Sequence, residues 1–216
     1  MDTLAARQQM VDQQIRTWEV LDPRVLDALS MVPREAFVPP EYRELAFADA
    51  PIPIGFGQSI LAPKLQGRIL QAVSVAATDS VLEIGSGTGY LAAAFSLLGA
   101  STRSVDIHPQ FTAAAAANLS AVQGSRVEFE TRDAFSDAPF GEYDVIAVTG
   151  SMPVYDRRFE RSLRIGGRLF AVIGSAPVMD AVLVRRVDGG EWIRESLFET
   201  VIDPLINATA VQRFVF

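Results

Sequence analysis

Apolar positions along this chain follow two rhythms. Val81-Leu82-Glu83-Ile84, Arg103-Ser104-Val105-Asp106, Val127-Glu128-Phe129-Glu130, Tyr143–Thr149 and Arg168–Gly174 are short runs that read as strands, the first of them buried. Between them an apolar helix starts at Leu91-Ala92-Ala93-Ala94-Phe95, and the Ala113–Ala117 run forms a close-packed helix surface. A further helix spans about Val154 to Leu163 until Gly166-Gly167 breaks it. The period then changes: Ala181–Val187, Trp192–Val201 and Ala210–Phe216 read as strands with no helix between them. Strands and helices alternating in this way predict an α/β fold on a parallel sheet.

Ahead of the first strand the rhythm is helical. Residues 4–20 place Leu4, Met10, Val11, Ile15 and Trp18 on one face. Asp22 caps and Pro23 opens a second helix with Val25, Leu26, Leu29 and Met31. Val32-Pro33-Arg34 and Phe37-Val38-Pro39-Pro40 lead to a short helix with Tyr42, Leu45 and Ala46. Pro63 opens another, which carries Leu65, Ile69, Leu70 and Val73 and ends near Ala77. In between, residues 51–63 hold too many prolines and glycines for a helix, while Ile52, Ile54, Phe56, Ile60 and Leu61 are too apolar for a linker. They predict a compact loop packed over something. With no linker or internal repeat, one domain is expected over 1–216: a helical extension and loop over 1–78, then an α/β core over 79–216.

Composition narrows the class. The chain has 216 residues, nearly half of them apolar, enough for one such domain with a real core. No apolar run approaches the roughly eighteen residues that span a bilayer, and the polar start MDTLAARQQMVDQQIRTW lacks the core of a signal peptide. A cytoplasmic protein without a membrane partner is expected. The formal charge of −7 argues against a nucleic-acid surface, which needs clustered Lys and Arg. With no cysteine, disulfides, thiolate catalysis and cysteine zinc sites are excluded, and no metal site is predicted. His108 is the single histidine, so a catalytic triad would depend on it.

The candidate chemistry sits at Ser80–Tyr90, SVLEIGSGTGY, where a strand turns into a helix through Gly85, Gly87 and Gly89. Glycines permit a tight turn and close backbone approach, and the free N–H groups of a helix start face an anion or nucleotide. The spacing Gly-x-Gly-x-Gly, with Glu83 two positions before it, differs from the Gly-x-Gly-x-x-Gly of dinucleotide folds. About twenty residues on, Asp106 ends a strand where a doubly wound sheet places its ribose-binding acid, and Asp133 follows the next strand. Together these residues resemble the S-adenosylmethionine-dependent methyltransferases of class I. That resemblance implies a Rossmann-like, doubly wound, mostly parallel sheet closed by a C-terminal antiparallel hairpin. It also implies S-adenosyl-L-methionine as cofactor: the glycine loop under the methionine moiety, Asp106 on the ribose hydroxyls and Asp133 near the adenine amine.

The resemblance then narrows. Val32-Pro33-Arg34-Glu35-Ala36-Phe37-Val38, Pro51-Ile52-Pro53-Ile54-Gly55-Phe56-Gly57-Gln58-Ser59-Ile60 and the Val81–Tyr90 corner are similar, in order and spacing, to signatures of the protein-L-isoaspartate O-methyltransferases. Ala138-Pro139-Phe140 with Tyr143–Thr149, Gly166-Gly167-Arg168-Leu169, and Asp203-Pro204-Leu205 resemble later segments of that family. Its members methylate the carboxylate of an isoaspartyl residue in damaged protein, so the implied partner is a protein or peptide carboxylate. The site residues that the resemblance carries over are Ser59 as the catalytic, substrate-orienting hydroxyl and Gln58, Ser59, Glu83, Gly85, Ser86, Gly87, Gly89, Asp106, Ile107, Asp133, Ala134 and Thr149 around the cofactor.

One position departs. The family's loop reads Gln-Thr-Ile-Ser-x-Pro, the last serine positioning the substrate carboxylate; here it reads Gln58-Ser59-Ile60-Leu61-Ala62-Pro63. Leucine offers no donor, a loss of about 1–3 kcal/mol unless another group such as Ser151 compensates. Three readings stay open: an isoaspartyl methyltransferase, a relative that methylates another carboxylate, and a non-catalytic cofactor- or partner-binding protein. An NAD-dependent oxidoreductase is disfavoured by the glycine spacing and Glu83. His108 reads as an adenine-side or surface residue, and Trp18 and Trp192 as core or edge packing. Arg157, Arg158, Arg161 and Arg164 read as a solvated basic helix face, with guidance of an acidic peptide as the alternative.

Overall fold

In the computed structural model, which describes residues 2–99, 101–136 and 140–210, the chain opens with helix α1, Thr3–Met10, whose first N–H groups are capped by the Asp2 carboxylate. It then widens into a π-helical turn over Val11–Ile15 and tightens to a 3-10 turn over Arg16–Trp18. The change of pitch breaks the single face expected over 4–20: Met10, Val11 and Ile15 are buried, whereas Leu4 and Trp18 are exposed. Trp18 does not pack in the core; its ring lies 4.4 Å beneath the Lys64 ammonium. Helix α2, Pro23–Met31, begins as expected, with Asp22 accepting from the Arg24 N–H, but Met31 faces solvent. Two 3-10 turns follow, Arg34–Ala36 and Pro40–Leu45, the second where a short helix was expected.

The 51–63 stretch is more regular than the expected loop. Strands β1, Ile52–Gly55, and β2, Gln58–Ile60, pair antiparallel around Phe56-Gly57. Both turn residues have positive φ, +53° and +70°, as a type I′ hairpin requires. Helix α3, Pro63–Val73, ends at a left-handed Ser74, short of Ala77, because the Ser74 N–H closes on the Leu70 and Gln71 carbonyls.

The rest is a wound sheet. Its elements are β3 Ser80–Ile84, α4 Tyr90–Leu98, β4 Ser101–Asp106, α5 Pro109–Asn118, β5 Val127–Thr131, β6 Tyr143–Met152, α6 Arg157–Arg161, β7 Leu163–Ser175, β8 Val178–Arg186 and β9 Trp192–Thr200. The strand order is β5-β4-β3-β6-β7-β8-β9, parallel from β5 to β7 and antiparallel at β8 and β9. Successive strand residues face opposite ways, so Val81 and Val145 join the helical extension in one core, while Leu82 and Ile146 pack with Phe159 in the other. Since β4 and β6 leave β3 on opposite sides, their carboxyl ends form the crevice in which such sheets bind ligands.

Three expectations over this half are corrected. β6 runs past the expected 149–153 turn to Met152, with a register break between Ala147 and Ser151. The expected 154–163 helix is a single short turn, α6. Gly166-Gly167 lie inside β7 as a bulge, where the pairing jumps from Leu163 to Arg168. The expected strand at Ala210–Phe216 and the Ala138-Pro139 part of the family signature lie outside the described residues, and Ala210 itself is in no regular element. Among the described residues no helix is long and apolar enough to cross a membrane.

Gly89, an expected cofactor contact, acts here in the frame. It starts α4 at φ +90°, and a Cβ there would sit 2.8 Å from the Ala115 Cβ of α5. Gly89→Ala adds backbone strain and overpacking, and is expected to cost about 2 kcal/mol or more. A lower midpoint with unchanged slope in urea unfolding is the expected result; an unchanged midpoint would show that α4 and α5 have room to part.

Candidate active site

The crevice is built by a turn that backs onto its neighbours. Beyond β3 the chain takes Gly85 at φ +103°, where a Cβ would lie 2.5 Å from the Thr149 hydroxyl oxygen. That hydroxyl lies 2.9 Å from both the Ile84 and Gly85 carbonyl oxygens, so it seals β6 to the corner. The Gly85 and Ser86 N–H groups donate to the Val105 carbonyl at 2.8 and 3.2 Å, and the Gly87 N–H to Asp106 Oδ2 at 3.0 Å. The other Asp106 oxygen accepts from the His108 N–H at 3.0 Å. Burial pushes the Asp106 carboxyl above the usual range, against the pull of these N–H groups.

Glu83 lies behind the corner, only 1% exposed. Burial pushes its pKa up to about 8, opposed by a hydrogen bond from the Ser104 hydroxyl. Ser104 Oγ also lies 2.7 Å from Ser86 Oγ, which couples the acid to the loop. Glu83 makes no ion pair among the described residues.

Two coverings close the crevice. One is the β1–β2 hairpin, whose Phe56 ring stacks on His108 at 4.2 Å with Phe111 edge-on at 5.4 Å. The other is the strap after β9. The Ser151 N–H donates to the Asp203 carbonyl, the Leu205 N–H to the Ser151 carbonyl, both at 2.9 Å. Gln58 Nε2 reaches the Pro204 carbonyl at 3.2 Å, and Asn207 Nδ2 donates to Asp133 Oδ2 at 2.8 Å. Asp133 Oδ1 accepts from the Phe135 N–H.

The enclosed cleft, about 820 Å³ including its open mouth, gathers residues that the sequence scatters over 150 positions. Gln58, Ser59, Glu83, Gly85, Ser86, Gly87, Asp106, Ile107, Asp133, Ala134 and Thr149 all line it; Gly89 does not. His108 lines it as well, on the side of Ile107 and Phe111. Ser59 and Leu61 also face an adjoining groove of about 1,420 Å³, whose lining includes Leu65, Met179, Val201 and Pro204. Ser151 lines that groove, but its buried hydroxyl is committed to the Ile202 carbonyl at 3.2 Å, so it does not replace the donor missing at Leu61. The four arginines do not form one free face: Arg157 pairs with Glu160, Arg158 with Asp156, and Arg164, on β7, with Asp144. No group of acidic and histidine side chains suited to a metal ion occurs among the described residues.

Gln66, Tyr90 and Arg34 are not among the expected site residues. The first two line the cleft, and the third is wholly buried behind it. The hint was the VPR signature, since an arginine amid apolar residues at a turn needs acceptors.

Known proteins match this arrangement along almost the whole chain. A sequence model of the family described as protein-L-isoaspartate(D-aspartate) O-methyltransferase (PCMT) matches residues 5–209. A protein-L-isoaspartate O-methyltransferase of Koribacter versatilis is 35% identical over 93% of this chain and 90% of its own. One of Methanoregula boonei is 36% identical over 93% of each. In three dimensions, a Plasmodium falciparum crystal structure assigned to the same enzyme, in complex with S-adenosyl-L-homocysteine, superposes with a TM-score of 0.81 at 15% identity. That match covers 92% of this chain and 97% of the other.

The buried Glu83 gives the fold a pH signature. The unfolded side chain ionises near 4.5 whereas the folded one holds its proton to about 8. Stability therefore falls as pH rises from about 4.5 to about 8 and is level above, because over that window only the native state keeps the proton. Glu83→Gln removes the loss. Its stability relative to the wild type is expected to rise from pH 5 to pH 8 by on the order of a few kcal/mol in urea unfolding. A difference independent of pH would show the carboxyl ionised throughout.

Proposed function

The chain belongs to the protein-L-isoaspartate(D-aspartate) O-methyltransferase family, and from that premise we propose that its cleft aligns S-adenosyl-L-methionine with an isoaspartyl carboxylate presented from the adjoining groove. The enzyme uses S-adenosyl-L-methionine. The observation that carries the alignment is that Ser59 and Leu61 face both cavities at once, so the partition between the cofactor-sized cleft and the open groove is the single stretch of chain at the end of β2.

The cleft's residues suit that cofactor. The two Asp106 oxygens accept the Gly87 and His108 N–H groups, and a carboxylate with about four acceptor sites keeps capacity for a ribose hydroxyl. His108 Nε2 is buried without a partner, and Glu83 is an acid without a cation, so both gain from a polar, cationic ligand. Ile107 would flank the adenine and Asp133 its amine, with Gly85, Ser86, Gly87 and Thr149 under the methionine moiety. Bound there, the cofactor supplies an electrophilic methyl group on a sulfonium sulfur.

The chain's own task is alignment and exclusion of water. An acceptor carboxylate is ionised at neutral pH and needs no base, which fits a cleft with no histidine–acid pair at the partition. Ser59 orients it, while the hairpin and strap dry the site so that the opposite charges meet in a low dielectric. In this reading residues 1–78 supply the hairpin and residues 79–216 hold the cofactor, as one unit. Leu61 leaves one acceptor oxygen without the family's hydroxyl and makes the partition more apolar, which favours an acceptor flanked by apolar residues in the groove of Leu65, Met179 and Val201.

Two measurements test this. Asp106→Ala is expected to weaken S-adenosylhomocysteine binding by tenfold or more in calorimetry, as loss of a charged hydrogen-bond partner of about 1.5–3 kcal/mol implies. Unchanged affinity would place the ribose elsewhere. Leu61→Ser is expected to raise kcat/KM on an isoaspartyl peptide several-fold. No gain, with cofactor affinity intact, would count against a carboxylate held at the partition and point to a different acceptor.

A further inference from the structure

Among the described residues Arg34 is the largest fully buried side chain, and no carboxylate pairs with it. Its guanidinium donates to three neutral oxygens: the Ala46 carbonyl at 2.7 Å, the Leu61 carbonyl at 2.9 Å and Gln66 Oε1. The Tyr90 ring lies 4.8 Å below it. An arginine in such a place stays protonated, and a buried charge with only dipoles around it is costly unless an anion completes the site.

Gln66 stands between that charge and the cleft. It is 3% exposed and lines the cleft beside Leu61, Ser59 and Tyr90. Because its oxygen is taken by Arg34, the amide has one orientation, and its Nε2 donates to no other described residue. The arginine polarises the amide, so the N–H end carries the positive potential of the guanidinium into the cleft.

We propose that Gln66 Nε2, fixed and polarised by Arg34, is a binding group for a ligand carboxylate in this cleft. It rests on the methyltransferase reading above, which brings two such groups to the cleft: the methionine carboxylate of the cofactor and the acceptor carboxylate. Gln66 is therefore a positioning residue. In the second case it supplies from α3 the donor that Leu61 lacks.

Gln66→Glu tests this without disturbing the fold, because a carboxylate keeps the Arg34 partner but turns the donor into an acceptor. Gln66→Met removes both, and melting temperatures of the two report whether Arg34 tolerates the change. Calorimetry with S-adenosylhomocysteine and with 5′-methylthioadenosine, which has no carboxylate, is combined with KM for an isoaspartyl peptide. A tenfold or greater loss for S-adenosylhomocysteine by Gln66→Glu, with 5′-methylthioadenosine unchanged, supports the proposal and assigns the carboxylate to the cofactor. Unchanged binding of both with KM raised tenfold or more supports it and assigns the carboxylate to the acceptor. Equal losses for both nucleosides, or no change in any of the three, would overturn it. If the wild type binds neither nucleoside, the cofactor reading itself fails.

Discussion

The site hangs on the clamp between the glycine corner and the end of β4. The N–H groups of Gly85, Ser86 and Gly87 are used in binding the Val105 carbonyl and the Asp106 carboxylate, so the turn and the acid are held by the same hydrogen bonds. That fixes where β3 becomes α4, and with it the crevice between β4 and β6. A ligand that engages Asp106 is thereby coupled to the backbone of the corner. Thr149 seals the other side by bonding two carbonyls of the same turn, so three strands contribute to one small surface.

The helical extension serves that surface through Arg34. One buried guanidinium gathers the chain at Ala46, at Leu61 and at Gln66, which holds the base of the hairpin against α3 and beside Tyr90 at the start of α4. The hairpin's tip is held by different physics, aromatic stacking on His108. Phe56 sits at a positive φ that disfavours a bulky residue, and the stack compensates for that strain. Hairpin and strap meet at Gln58 and Pro204, so both covers of the cleft are tied to one another as well as to the sheet.

Much of this was legible in sequence because it is local. Short apolar strands, the Asp22-Pro23 helix start and the Val81–Tyr90 corner each carry their signal within a few residues, and the spacing to Asp106 and Asp133 follows from the β-α repeat. The hidden parts depend on distant partners. The 51–60 hairpin needs His108 to hold a phenylalanine in its turn; β6 continues to Met152 because the strap pairs with Ser151; Gly166-Gly167 bulge because β6 runs alongside. Arg34 showed only as an arginine among the apolar residues of the VPR signature, and Gln66 not at all; that the two are buried against one another is a product of the fold. Gly89 was read as a ligand contact, yet it is the room α5 leaves that demands a glycine there.

Whether the cleft delivers a methyl group to an isoaspartyl carboxylate despite Leu61 is decided by incubating the purified chain with methyl-labelled S-adenosyl-L-methionine and an isoaspartyl peptide. The matching aspartyl peptide is the control. Base-labile label is expected on the isoaspartyl peptide and none on the control. Absence of label from both, in a preparation shown to bind S-adenosylhomocysteine, would contradict the proposed methyl transfer.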